Sequence, residues 1–288
     1  MCGLAAAQYT APTTPVGQTS VVLTATVALP QGGSPASVAV LTKGAPNLDF
    51  TASGTESCTG QSYLAGQFCT VSYVFAPTSA GARQGAVVVK DGAGNVLGTS
   101  YIAGIGTAPL GLFSSPTQLW TVGGFGGPRG ISVDGFGNVY VADTGANDEL
   151  KMIPAGGGAP VNFLNNGVDP NIRNSGATAV DGAGNVYLAA NNGNQAGTNG
   201  IYEVVNHNLM LVATLPFPNN PDDNLAVDGS GNLYGSDGNG AIYRISAAAG
   251  RAVTTLLAGN QNHRFIGLAV DPSGNIFAPD FSHNLLYG

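Results

Sequence analysis

The chain is predicted to be all-β, a sandwich of short strands followed by a β-propeller. Three observations carry this. A phrase of the form Asp-Gly/Pro-x-Gly-Asn begins at Asp134, Asp181, Asp228 and Asp271, 47, 47 and 43 residues apart, each time after Val and before an aliphatic–aromatic pair. A fixed period in the forties with strand-type patterning is that of propeller blades. The first 107 residues show no such period but alternate with period two, as strands of a half-buried sheet do. Glycine and β-branched residues run through every periodic segment, which leaves no stretch suited to a helix.

In the N-terminal part, Cys69, Val71, Tyr73 and Phe75 fall on one face of a strand and Thr70, Ser72 and Val74 on the other. Further strands are expected at 21–29, 37–41, 48–51, 85–90 and 96–105, with turn signals between them at intervals suited to a sandwich. The repeated phrase also occurs at Asp91 to Asn95. It is read there as the last hairpin of the sandwich, with a fifth blade as the alternative, because the residues before it lack a blade's other strands.

In the repeats, each unit reads as strand, turn, strand, loop, strand. For the first unit these are 130–133, the turn 134–138, then 139–142 and 149–153. A further strand precedes each phrase, at 118–122, 159–163, 209–214 and 252–257, which makes four antiparallel strands per blade. The phrase is a hairpin device. Its two glycines are expected to supply positive φ, its Asn to tolerate the left-handed region, and its Asp to accept backbone N–H bonds across the turn. Asp134, Asn138, Asp181, Asn185, Asp228, Asn232, Asp271 and Asn275 are therefore structural turn residues.

The run P-R-G-I-S-V-D-G-F-G-N-V-Y-V-A-D-T-G-A-N from Pro128 to Asn147 resembles the NHL repeat, and the likeness extends over about 117–287. Later units depart from it at Ala190, Ser236 and Pro279, and at Asn191, which is read as replacing the second Asp. The resemblance implies a ring of about six blades. Four units then make an incomplete arc, ending inside the fourth strand of the last unit at 285–288, and the chain is expected to be a fragment of a longer product with unpaired edges. The stretch F-A-P-T-S-A-G-A-R-Q-G-A-V-V-V from Phe75 to Val89 resembles the Ig-like domains of bacterial envelope proteins, of the abnormal-spindle and hydin type. The expected organisation is thus an Ig-like sandwich over 1–107, a linker over 108–116 and a truncated four-bladed propeller over 117–288.

Cys58 and Cys69 are eleven positions apart, a spacing familiar in the Ig-like resemblance before the strand that ends in F-x-P; it implies a disulfide, with two reduced thiols as the alternative. The pair lacks the further Cys or His of a zinc signature. Cys2 is left over and carries no assigned role.

Charged residues make up 9% of the chain, against about 25% in ordinary soluble proteins, and the net charge is −7 with no clustered basic residues. Nucleic acid and anionic membrane are poor partners for such a surface. No apolar run approaches the roughly 18 residues of a membrane span. The composition fits an extracytoplasmic setting, although Met1 to Gln8 does not read as an export signal. No nucleophile elbow, H-E-x-x-H or phosphate loop is present, and the glycine-rich stretches join strands, where dinucleotide binding would need a helix.

Strand order places the D-G-x-G-N turns at one face and the more variable loops at the other. The variable face holds Arg129, Arg173, Asp223, His263, Arg264 and His283, with Asp222 and Asn224 nearby, and is the expected ligand-binding face. His207 is read as lying in a connection between blades on the opposite face. His263, His283 and Asp280 are the set that could ligate a transition metal, but no other loop supplies a convincing further ligand. They are read as solvated loop residues, and no catalytic residue and no cofactor is assigned. The expected function is a non-catalytic secreted or cell-surface scaffold that binds protein or carbohydrate. A metal-dependent propeller enzyme of lyase or lactonase type and a purely structural envelope protein are the alternatives.

Overall fold

The computed structural model describes residues 9–10, 13–108, 121–144, 149–164, 172–192, 199–215, 224–237, 240–248, 250–259, 263–271 and 274–288. The expected linker falls almost wholly outside them. Among the described residues every regular element is a β-strand. The chain separates into two compact units, one built mainly on Met1–Pro116, the other on Thr117–Val180, Asn185–Asp228 and Asn232–Gly288.

The first unit is a β-sandwich. One sheet runs in the order Tyr9–Thr10, Val96–Thr107, Gly81–Lys90, Ser37–Thr42, Ala45–Pro46, with Thr14–Pro15 also on Val96–Thr107; the other runs Leu23–Leu29, Gln67–Phe75, Phe50–Glu56. The alternation sets which face is inside. Ala25, Val27 and Leu29 on one strand and Cys69, Val71, Tyr73 and Phe75 on its partner are all buried, and they meet Val40, Phe50, Val87, Val89 and Ile102 in one core. Phe50 stacks on Phe75 with ring centroids 4.8 Å apart. Cys58 and Cys69 are joined by a disulfide within this core, their Cα atoms 5.0 Å apart. Asp49 is buried with compensation: Arg83 reaches its Oδ2 at 2.6 Å, and the amide and hydroxyl of Thr78 donate to Oδ1 at 2.8 Å. The phrase at Asp91 to Asn95 joins the strands Gly81–Lys90 and Val96–Thr107 as a hairpin of this unit.

The second unit is a propeller-like succession of antiparallel sheets. The first comprises Pro128–Val133, Val139–Asp143, Glu149–Ile153 and Val161–Asn162; the second Ile172–Val180, Val186–Asn192, Asn199–Val205 and Asn208–Leu215. The third comprises Leu225–Val227, Leu233–Ser236, Ile242–Ile245 and Val253–Leu257, and the last has three strands, Ala269–Val270, Ile276–Asp280 and Leu285–Tyr287. The first strands of successive sheets are spatial neighbours, as in a radial stack. Apolar clusters fill the space between sheets. Tyr140, Ala142 and Leu150 of the first meet Val180, Val186 and Leu188 of the second, and Tyr187 and Ile201 of the second meet Leu233, Tyr243 and Ile245 of the third.

This pairing revises the sequence reading in two places. The strand expected to precede each phrase belongs to the sheet of the phrase before it: Val161–Asn162 pairs with Glu149–Ile153, and Val253–Leu257 with Ile242–Ile245. It follows that Leu285–Tyr287 is the third strand of the last sheet, not the fourth. The strand expected at 118–122 lies outside the described residues up to 120, and 121 and 122 are not in a strand. His207 does not lie in a chain connection between sheets, although its Nδ1 is 2.8 Å from the Phe163 carbonyl. It forms with Asn206 the two-residue turn between Asn199–Val205 and Asn208–Leu215, both residues at positive φ (50° and 62°), the conformation of a tight hairpin.

Candidate functional site

The two ends of each sheet are built differently. At the turn end, Asp134 takes backbone N–H bonds from Phe136 and Asn138 on Oδ1, both at 2.9 Å, while its Oδ2 accepts from the Asn138 amide at 2.9 Å and the Tyr140 hydroxyl at 3.1 Å. Asn138 Oδ1 in turn accepts the Ala155 N–H at 3.0 Å, tying the first hairpin to the turn after the third strand. The set recurs at Asp228, with Asn232, Tyr234 and the amide of Ala247. Asp181 accepts the Ala183 amide, and Asp271 both the amide and the side chain of Asn275. The second glycine of each phrase, Gly137, Gly184, Gly231 and Gly274, has positive φ between 76° and 92°. The first glycine does not: the amide of the second glycine bonds the Asp carbonyl three residues back, as Gly137 does to Asp134 at 3.2 Å, and the position after the Asp in such a turn takes negative φ. This corrects the expectation of two positive-φ glycines, and it is why the sequence can carry Pro272 at the first position.

At the opposite end the second strand of a sheet closes on an inward carboxylate. Asp143 is buried and accepts the amides of Gly126 and Gly127 at 2.6 to 3.0 Å, with Lys151 Nζ 2.8 Å from its Oδ2. Burial pushes its carboxyl up, but Lys151 and the two glycine amides outweigh that and hold it below the usual carboxylate range. The spacing of 47 places Ala190, not Asn191, at the equivalent position in the second sheet, so the residue that replaces the second Asp is a buried alanine. In the third sheet Asp237 stands there, accepting the Ala241 amide at 2.7 Å and the Tyr243 hydroxyl at 3.4 Å. Nearby, Asn224 is buried and donates to Ser236 Oγ at 2.8 Å and to the Phe265 carbonyl at 2.7 Å, which links the third sheet to the fourth.

In the fourth sheet the position is Asp280, with its side chain fully buried. Its Oδ1 accepts the amides of Arg264 (3.1 Å) and Ser282 (3.0 Å), and its Oδ2 meets Nδ1 of His263 at 2.6 Å and Nδ1 of His283 at 2.7 Å. Desolvation raises the Asp280 carboxyl, yet the bonds from His263, the Arg264 amide, His283 and the Ser282 amide prevail and hold it well below the usual range. His263 lies parallel to the buried Phe265 ring, 6.0 Å between centroids, and Tyr287 meets it edge-on at 5.4 Å. Arg264 carries its guanidinium 5.9 Å over the ring of Phe281, which is 62% exposed. The result is an aromatic and cationic group at the surface, seated on a buried carboxylate whose two oxygens are both hydrogen-bonded.

Of the residues expected on this face, the structure brings His263, Arg264 and His283 together around Asp280. Arg129 stands in the strand Pro128–Val133, in a different sheet. Arg173 is in Ile172–Val180, its side chain outside the described residues, and Asp222 and Asp223 are outside them too. The sequence reading did not single out Phe281, Phe265 or Tyr287. Their signal was present in the aromatic residues that flank both histidines.

No family model matches the chain, and no curated protein matches it. Among solved structures it is similar to virginiamycin B lyase from Staphylococcus aureus, at 16% identity and a TM-score of 0.38 over 53% of this chain and 48% of that one. It is also similar to the extracellular domain of a hybrid two-component system from B. thetaiotaomicron, at 13% identity and 0.38 over 67% and 23%. A structural-genomics protein of unknown function from Bacteroides thetaiotaomicron aligns over 95% and 83% at 15% identity and 0.33. The chain spans about half the length of the lyase and about a quarter of the two-component chain. These are propeller-like β proteins, and likeness at this level carries no functional argument.

Proposed function

We propose that the chain acts as a non-catalytic secreted or cell-surface scaffold that binds a protein or carbohydrate ligand through the face opposite the D-G-x-G-N turns, with the sandwich, of Ig-like type, serving as spacer or assembly domain. The propeller-like sheets are read as NHL-type blades on their repeated V-D-G/P-x-G-N phrase. The observation that carries the reading is the group at the end of the last sheet. There Phe281 and Arg264 are presented outward while the acid beneath them is consumed by four hydrogen bonds. Aromatic and Arg side chains on a fixed backbone are the usual anchors of recognition, because they bury much area at little cost in rotamer freedom. A disulfide in the sandwich core fits an oxidising compartment. No helix of the described residues is long and apolar enough to cross a membrane.

The test is a screen of the purified chain against a glycan array and an extracellular protein library, repeated with Arg264→Ala/Phe281→Ala. Loss of the bound partner with an unchanged melting temperature supports the reading. Binding that survives this double change but is lost on altering exposed residues of the D-G-x-G-N turns places recognition on the other face.

A further inference from the structure

We propose that His263, Asp280 and His283 form a site for one divalent transition-metal ion of the zinc class. The proposal goes beyond the ligand-binding reading and does not rest on it. Asp143, at the end of the second strand of the first sheet, is buried against two amides and takes its positive partner from Lys151. Asp280 holds the same place in the fourth sheet and is likewise buried against two amides, but where the first sheet supplies an ammonium the fourth supplies two imidazole nitrogens. The neighbouring guanidinium of Arg264 is turned over Phe281 instead. A fixed charge in one repeat has been exchanged in the other for a set of ligand atoms.

Three such atoms, two imidazole nitrogens and a carboxylate oxygen, lie within 4.8 Å of one another. Asp280 Oδ1 is pinned by the backbone of both loops, which aims Oδ2 at the histidines. Imidazole donors favour zinc, copper or nickel over the hard cations calcium and magnesium. Metal–ligand bonds of about 2.0–2.1 Å put tetrahedral ligand atoms roughly 3.4 Å apart. Seating an ion therefore needs the N···O separations to open by under about 1 Å and the two histidines to draw together. The side chain that can move is His283, 42% exposed on the turn at 281–284, whereas His263 is braced by Phe265 and Tyr287. Ligation through Nδ1 requires that nitrogen to be free of a proton, so the ring N–H of each bound imidazole would stand on Nε2. Three protein ligands leave a fourth position for water or for the Tyr287 hydroxyl, which is 3.5 Å from His263 Nδ1.

The experiment titrates the tag-free chain with cobalt(II), followed by its visible absorption, and with zinc(II) in competition against a chromophoric chelator. One ion per chain is expected, with cobalt bands of a low-coordinate nitrogen and oxygen site. The affinity should fall at least about tenfold in His283→Gln and in His263→Gln and be unchanged in His207→Gln, the control for a surface histidine outside the cluster. His283→Gln lies on an exposed turn, so its metal-free melting temperature should match the parent, and it decides the matter even if His263→Gln does not fold. Absence of stoichiometric binding, or equal binding by parent and His283→Gln, overturns the proposal.

Discussion

The hydroxyl of Tyr234 donates to Asp228 Oδ2 at 2.9 Å, six residues back across the turn, and Tyr140 stands in the same relation to Asp134 at 3.1 Å. Tyr243 and Asp237 repeat it at 3.4 Å in a hairpin of different sequence. The tyrosine is thus part of the turn device, holding its carboxylate from the strand that follows.

Removing that hydroxyl leaves the carboxylate one bond short. Tyr234→Phe should destabilise the chain by about 1–2 kcal/mol, and Tyr140→Phe by less, because Asp228 is buried and Asp134 only half so. Urea denaturation of the two variants is the check, and a Tyr234→Phe as stable as the parent would show that the bond contributes nothing.

The same pair predicts an alkaline transition. Burial first, and then the charge of Asp228 or Asp237, pushes the hydroxyls of Tyr234 and Tyr243 up to about 12. A folded value raised above the unfolded value near 10 gives stability that is complete below about pH 10 and is lost as pH rises toward 12. Tyrosinate absorbance should therefore appear in two stages, with the last stage coincident with unfolding.

On the acid side the sign reverses. Asp143 and Asp280 are both held below their ordinary range, so they stabilise the fold above about pH 4 and cease to do so as pH falls through their folded values. The melting temperature should drop between about pH 4 and pH 2, and less steeply in Asp143→Asn. An Asp143→Asn profile parallel to that of the parent would remove this carboxylate from the account.

Glycine is required at one place in the phrase and not at the other. In the hairpin at Asp91, Gly94 has φ of 87° and Gly92 has no positive φ, and an added Cβ would meet nothing closer than 4.0 Å at either. Gly94→Ala should cost roughly 1–2 kcal/mol through backbone conformation alone, with Gly92→Ala close to neutral. Equal losses would refute the assignment.

The disulfide between Cys58 and Cys69 closes a loop of separation 11 and should contribute about 3 kcal/mol. Thiol titration of the unfolded chain should find one free thiol of the three cysteines before reduction and all three after it. Three free thiols in protein from an oxidising compartment would contradict the bond.

Much of this was legible in the sequence because period and alternation act locally. The buried face of Gln67–Phe75 follows from period two, and the four hairpins follow from an Asp that must accept its own turn's amides. Which sheet a strand joins is a different matter. Val161–Asn162 is bonded to the strand before it and not to the repeat after it, a choice made by pairing across a turn that carries no distinctive phrase. The grouping of His263 and His283 on one face could be read from strand order, but not that both rings turn Nδ1 to one oxygen, since that depends on the amides of Arg264 and Ser282 fixing Asp280 first. Ala190 was misplaced by one residue because an adjacent Asn imitates the missing acid.

The turn at Asp134 finds all its partners between itself and Ala155: Phe136, Asn138, Tyr140 and the Ala155 amide. A stretch that carries its own instructions in this way can be copied in tandem, and the copy folds its corner without waiting for changes elsewhere. The other end of the sheet has no such self-contained set and differs from copy to copy: Lys151 serves the acid in the first, Ala190 stands in its place in the second, and a pair of histidines gathers around it in the last. The corner is constant from copy to copy, and the chemistry of the chain varies at the opposite edge.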